Sequence, residues 1–294
     1  MPEGSLLFLH ALSGLHPGSG AALDAIDLPV QRERHTDWPV IPGSSLKGVL
    51  RAATRPAEEP RQDWYSVFGP ETAEADKHGG ALALTDARLL AFPVRSIKGV
   101  FAWVTCPAVL HRFRRDAALA GCAAELPGVP TVADHTVLCA AGNLTVDGET
   151  AILEEFDFRR AGDPGDWAAA LAARVTDDAA VRERMRGYLA ILSDDDFTHF
   201  ARYATEVTAR IGLDAETKTV RRGALFYQEV LPTETLFYAL ALAEGSRNEK
   251  LRMTAAEVMA WLAGRSPRIV QIDGDETIGR GLCALRLQGR EVRA

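Results

Sequence analysis

Cysteine is scarce: the 294-residue chain has four, Cys106, Cys122, Cys139 and Cys283, and no Cys-x-x-Cys pair. That spacing argues against a zinc knuckle, a dithiol redox centre or a disulfide framework, so free thiols in a reducing compartment are expected. Nowhere does the chain reach the roughly 18 consecutive apolar residues of a membrane-spanning helix. Its first apolar stretch, Leu6–Leu9, follows Glu3 instead of the basic segment that opens a secretory leader, and the expected location is cytoplasmic. A Gly-Lys-Ser/Thr phosphate loop, a dinucleotide fingerprint and a nucleophile elbow are all missing, which argues against nucleotide cofactors and Ser-His-Asp hydrolysis. No Pro/Ser linker, fixed repeat or low-complexity tract divides the chain, so one elaborated α+β domain with insertions is expected.

What is present has the composition of a folded protein, 47% apolar and 25% charged. A net charge of −7 disfavours a polyanion as the main partner. The distribution softens this, because Arg95, Lys98, Arg112, Arg114 and Arg115 fall in a stretch without an acid. Shorter basic groups lie at Arg32/Arg34, Lys47/Arg51 and Lys218/Arg221/Arg222. Either these are solvated surface charges or the acidic body carries a basic face.

SLLFLHALSGL reads as a strand buried on both sides, running into the loop HPGSG at 16–20. After IPGSS at 41–45, Leu46, Val49, Leu50 and Ala53 follow helical spacing, with Ser44 or Ser45 as N-cap. Strands are expected at Ala81–Leu90 and Phe101–Leu110, with a short pair in Val132–Val146 and an edge or turn at Glu154–Asp157. Helices are expected over Asp166–Val175, Thr176–Leu192 and Ser193–Ala204, the acids at 194–196 suiting a helix N-terminus. Residues 205–232 read as two extended arms around a polar turn, followed by a strand at Thr235–Leu242. Thr254 and Glu257 form a capping box for a helix ending at Gly264, before strands at Ile269–Ile272 and Leu282–Leu287.

Two places have a composition suited to phosphate. Lys47 sits in the first turn of its helix, where a cation opposes the dipole unless an anion is near, and Arg51 follows one turn later. With Ser44 and Ser45 they make one candidate site, the alternative being that Lys47 simply extends into solvent. GDETIGRG at 274–281 is the other, reading alone either as a tight turn or as a phosphate cradle. Ahead of both, DLPVQRERHTDWP at 27–39 is polar and loop-like, and His16, Asp27 and His35 are its potential acid/base groups.

HPGSG, then IDLPVQRERHTDWPVIPGSSLKGVLR at 26–51, closely resembles the RAMP-superfamily backbone subunit of type III-B (Cmr) CRISPR effector complexes. The blocks SDDDFTHFARYATEVTARIGLDAETKTVRRGALFYQEVLPTETLFYAL at 193–240 and QIDGDETIGRG at 271–281 agree in order and spacing, and the resemblance covers about a third of the residues. It implies an RRM-like (ferredoxin-like) core, with insertions at roughly 60–190 and a projecting β-hairpin thumb at roughly 205–228. It implies a filament subunit that grips CRISPR guide RNA beside further copies of itself and other Cmr subunits, and that cuts complementary target RNA at regular intervals. The family's active carboxylate matches Asp27, with His16 and Glu229 carried over beside it. Ser44, Ser45, Lys47, Arg51, Gly279, Arg280 and Gly281 are expected to bind guide RNA, and Lys218, Arg221 and Arg222 to bind RNA from the thumb. Because an aspartate is a weak base near neutrality, a divalent ion, Mg²⁺ by expectation, is implied, with no ligand motif to place it. The alternatives are a non-catalytic guide-binding filament subunit, which retention of Asp27 disfavours, and a guide-processing ribonuclease.

Overall fold

The computed structural model describes residues 3–22, 25–58, 61–74, 76–123, 125–214 and 216–289. The chain runs β1 (Glu3–Ala11), β2 (Val40–Ile41), α1 (Gly43–Ala53), α2 (Gln62–Phe68), β3 (Leu82–Leu84), β4 (Ala87–Ser96), β5 (Val100–Thr105), α3 (Pro107–Leu119) and β6 (Thr136–Cys139). It continues through α4 (Ala141–Leu144), β7 (Thr150–Leu153), β8 (Phe156–Gly162), α5 (Trp167–Val175), α6 (Ala179–Tyr188), β9 (Leu189–Ile191) and α7 (Asp194–Tyr203). The last elements are β10 (Glu206–Leu213), β11 (Val220–Val230), β12 (Leu236–Ala243), α8 (Ala255–Arg265), β13 (Ile269–Gln271) and β14 (Leu282–Gly289).

The fold is mixed α+β, and β1 is its central strand. It pairs antiparallel with β12 from Glu3↔Ala243 to His10↔Leu236, and with β14 from Ser5↔Gly289 to Ala11↔Cys283. Leu6, Leu7, Phe8 and Leu9 are buried in succession, so both faces of β1 are covered and its continuous apolar run is explained. α3, α5 and α8 all pack on it. The first half of β4 pairs with β12, and its second half turns away to pair with β5. From there the order β5-β9-β6-β8-β7 returns to β4 through Ser96↔Leu153, closing a barrel-like ring. β10 and β11 form a separate two-stranded sheet.

Several expected elements change on folding. The strand expected over Phe101–Leu110 stops at Thr105, and Pro107 starts α3 at the first helical position, where its missing N–H costs nothing. α3 then buries Val109, Leu110, Phe113 and Ala117 at helical spacing. The helix expected to reach Leu192 ends at Tyr188, because Leu189–Ile191 is drawn between β5 and β6 as β9. Val132–Val146 holds one strand, β6, followed by the single turn α4, and α2 was not expected at all. Neither Ser44 nor Ser45 caps α1: Pro42 occupies the N-cap position, and the Asp86 carboxylate accepts the Gly43 N–H at 2.8 Å from across the chain. The capping box of Thr254 and Glu257 forms as read, and so does the cap of Ser193 on Asp196.

Candidate RNA-cleavage site

The inner half of β11 organises the site. One edge of it pairs with β10, from Glu206↔Val230 to Ile211↔Leu225. On the other edge, Leu28 N–H donates to Tyr227 O and Glu229 N–H to Leu28 O, both at 3.0 Å. Leu15 exchanges both backbone bonds with Leu231, at 3.0 and 2.8 Å. The loops after β1 and before β2 are therefore laid side by side against one strand, which brings His16, Asp27 and Glu229 together.

Each has a different environment. Asp27 is half-buried, and its Oδ2 accepts the Tyr227 N–H at 2.7 Å. His16 is 8% exposed, with Nδ1 2.7 Å from the Glu229 carbonyl oxygen. A carbonyl only accepts, so Nδ1 holds a proton, and Nε2 is the ring nitrogen this bond does not use. Gly18 keeps that nitrogen uncrowded, since a Cβ there would stand 2.9 Å from it. Glu229 is 3% exposed and its carboxylate is occupied: Oε1 takes Arg32 Nη2 at 2.5 Å and Thr205 Oγ1 at 2.8 Å, and Oε2 takes the Val30 N–H at 2.9 Å.

The two candidate phosphate sites converge nearby. Ser45 Oγ donates to Asp273 Oδ1 at 2.8 Å, joining α1 to the loop before β14, and Gly281 N–H donates to Gly14 O at 2.9 Å. Gly281 is required, because at φ +78° a Cβ would lie 2.2 Å from Ile272 O. Gly279 also has positive φ, at +78°, and is exposed. Burial raises the Asp273 carboxyl above the usual range, against the opposing Ser45 hydrogen bond and nearby His16. Asp275 is held below it: burial pushes up, and the hydrogen bonds from Arg210 and Gln228 outweigh that. Arg280 reaches Gln228 Oε1 at 3.3 Å.

The cations divide by how far they are already engaged. Lys47 Nζ donates to Leu82 O at 2.8 Å, and burial followed by repulsion from Arg51 lowers its pKa. Ser44 beside it is exposed. Arg51 instead faces inward, donating to Gly69 O and Pro70 O at 2.8 and 3.0 Å with its guanidinium 4.1 Å from the Trp64 ring centre. In the basic stretch, Arg95, Arg112 and Arg115 are paired with Glu154, Glu33 and Asp116. Lys218 and Arg221 are exposed at the far end of the hairpin, about 30 Å of strand from Glu229; the Arg222 side chain lies outside the described residues. Sequence reasoning did not assign Arg32, Arg210, Gln228, Asp273 or Asp275 to the site. Their one signal was membership of the recognised blocks.

Among the described residues no three His, Cys, Asp or Glu side chains gather to hold a metal. Among the described residues Asp27 is part of no such group, and one of its oxygens accepts a backbone N–H. That donor set fits an ion such as Mg²⁺, which keeps several waters and takes substrate phosphates as ligands, and does not fit an all-protein cage. Among the described residues no helix is long and apolar enough to cross a membrane.

A paired-loop site on a central antiparallel sheet, with a hairpin rising from it, defines the class: residues 8–282 match the RAMP superfamily, and the chain belongs to it. Within that superfamily it is 38% identical over 286 residues to the CRISPR system Cmr endoribonuclease Cmr4 of Pyrococcus furiosus, covering 96% of this chain and 95% of that one. It is 25% identical over 303 residues to the CRISPR system CMR subunit Cmr4 of Saccharolobus solfataricus, covering 95% and 94%. The crystal structure of oligomeric Cmr4 from Pyrococcus furiosus superimposes with a TM-score of 0.75 at 32% identity, over 97% of this chain and 98% of that one.

Proposed function

We propose that this chain is a guide-RNA-binding backbone subunit of a type III-B CRISPR effector complex and that it cleaves complementary target RNA. The likeness to an endoribonuclease along nearly its whole length carries the reading. Its partners are guide RNA, target RNA, further copies of itself and other Cmr subunits, in the cytoplasm. We read it as one domain, residues 1–294: an RRM-like core around β1, insertions at roughly 60–190, and β10–β11 as a thumb that separates neighbouring guide–target pairs.

In this reading the target's own 2′-hydroxyl attacks the adjacent phosphorus. The O2′–P bond forms and the P–O5′ bond breaks, leaving a cyclic phosphate and a 5′-hydroxyl. Asp27 orients the attacking hydroxyl. His16, its Nδ1 pinned by Glu229 O, turns Nε2 toward the reacting groups to accept or return a proton. Asp27 would hold a divalent ion together with phosphate oxygens, and the ion would supply positive charge to the phosphate. Glu229, its oxygens already occupied, positions and does not react. Ser44, Ser45, Lys47 and the Gly279-Arg280-Gly281 turn contact the guide backbone through phosphate and shape, so any guide sequence is accepted. Arg51 braces α1 from behind, and Lys218, Arg221 and Arg222 serve the thumb.

Asp27→Asn in the assembled complex tests this. Cleavage is expected to fall by roughly a thousandfold or more while guide and target affinities stay within about twofold. Cleavage at the full rate would instead support a non-catalytic filament subunit.

A further inference from the structure

Arg32 is a cation in the middle of the loop that carries Asp27, yet it faces inward. Its Nη1 donates to Asp37 O at 2.7 Å and to Ala201 O at 3.0 Å. Its Nη2 donates to Arg202 O at 3.3 Å and to Glu229 Oε1 at 2.5 Å. The pair is enclosed, with side chains 15% and 4% exposed. Ala201 and Arg202 belong to the last turn of α7, whose carbonyls have no helical partners and which is the negative end of the dipole. One planar fork thus ties the Asp27 loop to the end of a helix and to β11.

Glu229 completes the arrangement from the other side. Its second oxygen accepts the N–H of Val30, three residues past Asp27, and the N–H of Tyr227, two residues before it, holds the Asp27 carboxylate. Thr205, at the foot of β10, donates to the same Glu229 oxygen as Arg32. The Asp27 loop is therefore pegged to the base of the hairpin by backbone at Leu28, by carboxylate at Val30 and by ion pair at Arg32.

Building on the cleavage reading above, we propose that the Arg32–Glu229 pair is a positioning element for RNA cleavage: it fixes the Asp27 loop against the root of the hairpin. Wherever the hairpin places the RNA, Asp27 is then held in register with it. Lysine cannot replace Arg32, because a compact ammonium lacks the fork that serves four acceptors on three elements. Neutral glutamine at 229 leaves the Arg32 charge enclosed without its counter-charge.

The experiment uses the guide-loaded complex and compares wild type, Arg32→Lys, Glu229→Gln and the double variant, with Asp27→Asn as control. Single-turnover cleavage at saturating target is expected to slow by roughly ten- to a hundredfold in each single variant, with target affinity within about twofold and cut positions unchanged. The double variant is expected to be no slower than the slower single, because the two side chains act as one unit. Wild-type rates in either single variant would overturn the proposal. So would rate losses that multiply in the double, or a rate loss matched by lost target affinity. Because Asp27→Asn is read in parallel, the outcomes separate: full cleavage there defeats the nuclease reading itself, whereas its loss together with undiminished cleavage by Arg32→Lys defeats only the positioning role.

Discussion

Asp273 shows how a side chain in the site can oppose the fold. One oxygen accepts from Ser45, while Oδ2 is buried without a hydrogen-bond partner, and burial raises the carboxyl above its usual range. A folded-state pKa above the unfolded one means the ionised form is disfavoured by folding. The penalty is absent below the unfolded value and grows as pH rises through the folded one. Asp273→Asn, which keeps an oxygen for Ser45, is therefore expected to raise the melting temperature at pH 7 and leave it unchanged near pH 3. Thermal unfolding across that range checks this, and an equal gain at both ends would rule out the charge as cause. At this scale little of the site was legible in the sequence. Asp27 was reached through family resemblance, and the inward turn of Arg32 depends on Glu229, 197 residues further on. No local pattern encodes such a pairing. Arg51 misled for a related reason: its helical phase with Lys47 was read correctly, but Trp64 and the carbonyls of Gly69 and Pro70 draw it inward.

Elements were legible where their signals were local. β1, the Thr254 capping box and the arms of β10 and β11 follow from periodicity and capping alone. α3 and β9 did not, because each replaces an apolar run whose state is settled by neighbours: Leu189–Ile191 is a strand only because β5 and β6 flank it. The cap of α1 was misassigned because its acceptor, Asp86, lies 43 residues away. The hairpin tip is the opposite case. Asp214 folds it by accepting the N–H groups of Glu216 and Thr217 at 3.0 and 2.9 Å, and those bonds hold its carboxyl below the usual range. Nothing beyond the hairpin is needed. Replacing residues 213–223 with a two-residue Asn-Gly turn between Gly212 and Ala224 should therefore shift the melting temperature by no more than about 2 °C. The shortened complex should still bind guide RNA and should lose cleavage at regular intervals. Retention of that spacing, read from the product lengths, would remove the tip from any role in separating base pairs.

At the scale of the molecule, the net charge of −7 and the convergence of α1, the 273–281 loop and the root of β11 on one region describe an acidic body with a local site. The hairpin leaves that body with one face uncovered. Val207 and Ile211 on β10 lie on the same face as Leu225 and Tyr227 on β11, and all are 41–54% exposed. A two-stranded ribbon with an open apolar face is marginal in water, and a row of this kind on a folded chain marks a contact surface. If each copy offers its ribbon to the next, head to tail, the contact does not close on itself and propagates a filament. Ile211→Asp with Leu225→Asp puts two carboxylates at directly paired positions of that row. Since neither side chain belongs to the core cluster, the melting temperature of the isolated subunit should move by only about 2 °C. Guide-dependent assembly, followed by sedimentation, should fall to single copies, and target cleavage should fall with it. If the doubly substituted chain still assembled on guide RNA in wild-type numbers, the apolar row would not be the filament contact, and its cover would have to be the RNA duplex itself.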